Sequence, residues 1–305
     1  MTGAADRHLI LGFPRSGTTL LSRLIDAHPE ISSPPETFMF SSAARFLAEQ
    51  SAVEGPPIGV LSGLAFAGFE PEEVMGPLRA LLFGWHERIA AGKPAWAEKT
   101  GTDVFHLETL EPFLAGHARF VILMRNPLDV IASNMDLAAT MGAQLPELFA
   151  LTRGVNDPHE GLARALADRT EALDAFVDRN SAECHRLRYE DLLTDPVTVL
   201  TDLFAFMGRP TPPRAVIDAA FTGERKVGLG DFRIHETSGL VAPVKDGWRK
   251  RLPRAAAARI IPILAPLLER HGYKVPKTPA QPGREDAVRQ FTLAARMRGQ
   301  MRPRD

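Results

Sequence analysis

Residues 10–20, "ILGFPRSGTTL", decide how the rest of the chain is read. His8–Phe13 is a short apolar run ending at Gly-Phe-Pro, the pattern of a buried parallel strand. From Thr18 to Ala27, Leu20, Leu21, Leu24 and Ile25 recur at helical spacing, and His28-Pro29 stops the run. Between strand and helix, Gly12 and Gly17 match the glycine spacing of a phosphate-binding loop, with Thr18 where such a loop normally carries lysine. The physics survives that change. Gly17 permits a tight turn, the amides that follow face an anion at a helix N-terminus, and Thr18 and Thr19 add hydroxyl donors. The cation has moved upstream, to Arg15. A guanidinium with backbone amides suits a small anion handled without metal. A magnesium-bound triphosphate would prefer the lysine and a second strand ending in aspartate.

The best second strand ends instead in arginine. In "ARFVILMRNP", Phe120–Met124 is continuous and apolar, Arg125 closes it, and Pro127 opens a helix. "AWAEKT" (95–100) and "CHRLRYEDL" read as further strands. Helices are predicted over 106–114, 127–140, 159–178, the stretch "DPVTVLTDLFAFMG" and 253–271. Residues 38–92, helical with Gly and Pro breaks, read as an insertion over one side of the site, and 223–247 as a Gly-rich loop. Strands alternating with helices predict an α/β fold: a P-loop-like, doubly wound parallel sheet flanked by helices, with its ligand crevice at the carboxyl ends of the strands. The expected organisation is one domain over 1–274, followed by a Pro-rich lead-in and a basic, loosely packed arm over 275–305.

Composition narrows the function. The chain has 305 residues, 45% of them hydrophobic, and a net charge of −1, which argues against binding a nucleic acid polymer but leaves room for a basic nucleotide pocket. The one cysteine, Cys184, cannot form a disulfide within the chain and reads as an inert thiol on a strand. No charged leader precedes a long apolar run, and no stretch approaches about 18 uncharged apolar residues, so a soluble, cytoplasmic protein without an anchor is expected. The nine histidines are scattered without metal-ligand spacing, and no metal site is expected.

"FPRSGTTLLSRLIDAHPEI" resembles the 5′-phosphosulfate loop of sulfotransferases that use 3′-phosphoadenosine 5′-phosphosulfate (PAPS), in the branch that includes tyrosylprotein sulfotransferases and many bacterial relatives. The likeness continues in register through "DAHPEISSPPET", "EKT", "RFVILMRNPLDVIASNM" and "RYEDL". It implies that Arg15 contacts the 5′-phosphosulfate, with the amides of Ser16 and Gly17 and the hydroxyls of Thr18 and Thr19 beside it. It implies that Arg125 and Ser133 hold the 3′-phosphate, that Tyr189 lies on the adenine or phosphate side, and that Lys99 donates to the leaving-group oxygen. "ERKVGLGDFR" (224–233) is partly similar to a basic loop that closes over the 3′-phosphate, where Gly228 and Gly230 would bring amides close, with Arg225 and Lys226 as additions.

Sulfuryl transfer needs a base for the acceptor proton and cations for the transferring and departing oxygens. Glu36 is the expected base: Pro34 and Pro35 pre-set its loop, and the resemblance places a catalytic glutamate there. His106 is the nearest rival and Asp103 a weaker one. The expected product is adenosine 3′,5′-bisphosphate (PAP), and the expected acceptor a hydroxyl or amine of a small molecule, lipid or sugar. Self-association is left open. Two other readings compete: a P-loop kinase for a small molecule, and a catalytically silent PAP-binding module. Phe38, Phe40, Phe46, Phe66, Phe69, Phe83 and Trp85 of the insertion are expected in helix core rather than in an acceptor pocket.

Overall fold

The computed structural model describes residues 3–50, 55, 57–141, 146–222, 239–241 and 246–278. Among them, five strands form one parallel sheet in the order β2-β3-β1-β4-β5: β1 (Arg7–Leu11), β2 (Ile31–Ser32), β3 (Ala95–Glu98), β4 (Arg119–Met124) and β5 (Cys184–Arg188). The central strands β1 and β4 carry unbroken apolar runs, Leu9–Leu11 and Phe120–Met124, because helices cover both faces. On one face Leu9, Leu11, Trp96, Phe120 and Ile122 pack with α2 (Met39–Leu47), α4 (Pro71–Ile89), α5 (Leu107–Leu114) and α8 (Pro158–Arg179). Alternate residues, Ile10, Ala95, Ala97, Val121 and Leu123, point the other way, to α1 (Thr18–Asp26), α10 (Pro196–Phe206) and α11 (Pro213–Thr222). A third core joins α6 (Pro127–Met141), α8 and α12 (Arg254–Arg270) around Trp248 and Tyr273. Each fully buried Leu, Ile or Phe in these layers is worth roughly 1.5–3 kcal/mol.

The register brings the strand ends level. Leu11 stands beside Ile122, Leu9 beside Glu98, and Met124 beside Arg188. The chain leaves β1 toward one edge and, after β3, passes to the other side of β1, so the sheet reverses direction around β1. A ligand crevice belongs at such a switch point.

The described residues of 38–92 form α2, α3 (Val60–Ala65) and α4 between β2 and β3, helices as expected there. Its aromatic residues depart from expectation. Phe40 and Phe83 are core, whereas Phe66 is 89% exposed, and Phe46, Phe69 and Trp85 also face outward. The sequence "RYEDL" does not continue as strand: β5 stops at Arg188, and α9 (Tyr189–Thr194) begins at once. Among the described residues no helix is long and apolar enough to cross a membrane. The 224–233 loop with Gly228 and Gly230, and the arm beyond residue 278, lie outside the described residues.

Candidate active site

Every strand delivers a candidate residue just past its carboxyl end: β1 the loop 12–19, β2 Glu36, β3 Lys99, β4 Arg125 and β5 Tyr189. The loop after β1 is tied from several sides. Arg15 (φ 77°) and Gly17 (φ 100°) both take left-handed backbone, a conformation that costs roughly 1–2 kcal/mol at a residue with a Cβ. The strain is held by Ser16 N–H donating to Phe13 O (3.0 Å), by Asn134 Nδ2 donating to Pro14 O (3.0 Å) and by Arg125 Nη1 donating to Arg15 O (2.9 Å). One expectation changes here: the Ser16 amide is spent inside the turn. The first helical bond runs from Leu21 N to Gly17 O (3.1 Å), so the amides just before Leu21 have no acceptor within the helix and mark the positive end of its dipole.

The far side of the loop is built by β4 and β5. Because Met124 pairs with Arg188, Arg125 and Tyr189 emerge side by side, and the guanidinium lies 4.5 Å over the Tyr189 ring. The same ring covers Gly17 so closely that a Cβ there would overlap it, which adds a packing demand for glycine to the conformational one. Ser133, on α6, accepts a hydrogen bond from Arg15 Nε at 3.2 Å. The loop and the Arg125–Ser133 pair therefore adjoin, within the reach of one nucleotide.

On the other side Lys99, 3% exposed, reaches Glu36 Oε1 at 2.8 Å and Thr19 Oγ1 at 3.3 Å. The Gly101 amide adds a second donor to Glu36 Oε1 (3.2 Å). One ammonium thus bridges the candidate base to the loop after β1. Behind them lies a buried acid, Glu98, which accepts from Thr37 Oγ1 (2.9 Å), Thr37 N–H (3.3 Å) and Thr100 Oγ1 (2.6 Å). Burial pushes its carboxyl up to about 7, against the opposing hydrogen bonds from Thr100 and Thr37 and the charge of Lys99.

The rival bases are placed differently. Asp103 is buried, and desolvation, then the charges of Glu98 and Glu36, hold its carboxyl well above the usual range. His106 faces Glu147 of α7 (Pro146–Thr152) at 3.9 Å. His28 serves the turn after α1: its Nε2 donates to Arg209 O (2.9 Å) while Nδ1 accepts the Glu30 amide (3.1 Å). Cys184 is half-buried on β5, its thiol pushed up to about 12 chiefly by desolvation. Among the described residues no group of His, Cys, Asp and Glu side chains is arranged to hold a metal ion.

Residue-by-residue reading missed the groups that hold the site in place. Asn134 anchors the loop, and Glu190 accepts from the Asn126 amide (2.9 Å) and the Tyr273 hydroxyl (3.0 Å), steadying the turn after Arg125. Glu98, Thr37 and Thr100 tie the β2 and β3 ends together. The available signal was adjacency: each of these lies next to a quoted site residue or one residue beyond it.

A family model described as "Sulfotransferase family" matches residues 9–213. Nodulation protein NoeE of Sinorhizobium fredii is 26% identical over 281 residues, which cover 87% of this chain and 65% of that protein. Protein-tyrosine sulfotransferase 1 of Danio rerio is 26% identical over 292 residues, covering 91% of this chain and 75% of that protein. Among solved structures, a sulfotransferase domain from the curacin biosynthetic pathway superposes with a TM-score of 0.60 at 20% identity, over 90% of this chain and 99% of that one. Mouse sulfotransferase SULT7A1, complexed with PAP, superposes with a TM-score of 0.50 at 14% identity, over 97% and 91%.

Proposed function

This chain belongs to the sulfotransferase family, and from that premise we propose that it moves a sulfuryl group from PAPS to an acceptor hydroxyl or amine, with Glu36 as base. The observation that carries the reading is the Lys99 bridge: one ammonium touches both Glu36 and Thr19, next to a loop whose arginine reaches Ser133. PAP bound to the mouse structure of the same fold supports an adenosine bisphosphate as the carrier.

In this reading the amides at the start of α1, the Thr18 and Thr19 hydroxyls and Arg15 hold the 5′-phosphosulfate. Arg125 and Ser133 hold the 3′-phosphate, with Tyr189 beside them. Glu36 takes the acceptor proton as the acceptor lone pair forms the new bond to sulfur. The bond between sulfur and the bridging phosphate oxygen breaks, and the electron pair leaves with the phosphate. Lys99 exchanges its resting partner Glu36 for that oxygen, and Arg15 shares the charge. Placing a buried ammonium where charge develops is worth far more than the same contact in water. These cations do the work without a metal. We assign the acceptor to small molecules, lipids or sugars.

Titration calorimetry with PAP and with ATP–Mg²⁺ tests the carrier, and mass spectrometry for the gain of one sulfuryl group on an acceptor panel tests the reaction. PAP binding with a sulfated product is expected. ATP–Mg²⁺ binding in preference to PAP overturns the reading in favour of a kinase, and PAP binding without product on any acceptor favours a silent binding module.

A further inference from the structure

Glu98 is the last residue of β3 and is fully buried, an expensive place for a carboxyl that takes no part in the transfer described above. Its two oxygens have different surroundings. Oε1 gathers the Thr37 amide, the Thr37 hydroxyl and the Thr100 hydroxyl. Thr37 follows Glu36 directly, and Lys99 stands between Glu98 and Thr100. Thr100 Oγ1 in turn accepts the Phe38 amide (3.2 Å), and Phe38 takes left-handed backbone (φ 57°). Oε2 faces His86 Nε2 at 3.5 Å. The His86 ring stacks on Trp96 (4.4 Å) and on Phe40 (5.5 Å), and burial holds it down at about 4.

We propose that Glu98 is a positioning residue of the transfer site: through Oε1 it locks the turn carrying Glu36 to the strand end carrying Lys99, and through Oε2 it presents a proton to His86. The inference rests on the functional reading above and adds to it the reason the base and the lysine meet. The chemistry of the pocket asks for a neutral Glu98. With the neutral His86 ring carrying its proton on Nδ1, Nε2 accepts and the proton between the two groups sits on Oε2, while Oε1 remains a pure acceptor for its three donors. The charged and titratable neighbours of this carboxyl are Lys99, which holds Glu36, Asp103 from the turn before α5, and His86 from α4. A network of this kind specifies geometry more than it adds stability.

The test compares substitutions at Glu98 in wild-type protein shown to turn over. Glu98→Gln keeps the Oε1 acceptor and offers an N–H to His86 in place of the acid proton. Its kcat is expected within about threefold of wild type, and its pH–rate profile is expected to lack the near-neutral inflection that ionisation of Glu98 gives the wild type. Glu98→Leu keeps the bulk and removes every polar contact. Its kcat is expected to fall about 100-fold, with the PAP dissociation constant and acceptor KM unchanged within about twofold. Thr37→Val, which keeps shape and removes one hydroxyl donor, is expected to lose about tenfold in kcat by the same split, and it decides the matter if Glu98→Leu does not fold. Full activity in Glu98→Leu overturns the assignment. So does a parallel loss of PAP affinity and kcat, which is the mark of general structural damage, and so does Glu98→Gln failing as badly as Glu98→Leu. If wild type itself transfers no sulfuryl group, the functional reading falls first and takes the assignment with it.

Discussion

The two halves of the crevice are built by different means. The half we propose to hold phosphate rests on backbone: a turn with two left-handed residues, the start of α1, and carbonyls pinned by Asn134 and Arg125. The half we propose to carry the base is made of side chains brought from far apart in sequence, with Thr37 held by Glu98 across 61 residues and Glu36 held by Lys99 across 63. Backbone recognition of an anion needs a short motif with glycine at fixed offsets. Base placement needs only that two strands align and that a buried network closes behind them. The first half can therefore be written in one stretch of sequence, and the second cannot.

The most severe way to break this division is Glu36→Gln. If the base half serves chemistry and the phosphate half serves binding, kcat falls by about 10²–10⁴ while PAP affinity is retained. Steady-state kinetics beside calorimetry on the same protein reads both numbers. Survival of full activity would remove Glu36 as base and turn attention to His106, whose ring faces Glu147. The complementary change, Arg125→Ala, acts on the other half. It removes the hydrogen bond to Arg15 O and the cover over Tyr189 together with the proposed 3′-phosphate contact. Loss of one charge-assisted contact is worth about 1.5–3 kcal/mol, so PAP affinity is expected to weaken roughly 10- to 100-fold, with kcat at saturating co-substrate changed less. Unchanged affinity would take Arg125 out of the site.

The same division explains what could be read in advance. The strand–loop–helix at 8–27 was legible because apolar runs, glycine offsets and a proline stop are local signals, and β4 was legible because a strand covered on both faces is apolar throughout. Arg15, Lys99 and Arg125 stood out because each directly follows such a run or lies in such a loop. Glu98 did not. Within "AWAEKT" it looks like one charged residue beside another, and only the register of β1 with β3, together with the folding back of α4, shows that it is buried against His86. The Ser16 amide's bond to Phe13 O was not foreseen for a related reason: a sequence does not show which amides a turn keeps for itself. Phe40 and Phe83 of the insertion are core as expected, but Phe46, Phe66, Phe69 and Trp85 were misjudged, because hydrophobicity alone does not tell a core residue from an exposed one.

Those exposed aromatics supply the mildest test. Phe66 sits just past the end of α3 with 89% of its surface in solvent, on the segment that joins β2 to β3. Replacing an exposed side chain that fills no cavity leaves stability nearly unchanged, so Phe66→Ser is expected to shift the free energy of unfolding by less than about 0.5 kcal/mol. PAP affinity should not move, because every residue assigned to the carrier lies at the strand ends or on α6. A thermal or chemical melt and one calorimetric titration check both statements. A large loss of stability would mean that Phe66 is covered in solution by something that packs against it. A loss of PAP affinity would mean that the two halves of the crevice are coupled through the insertion, and their separation into a binding side and a chemical side would no longer hold.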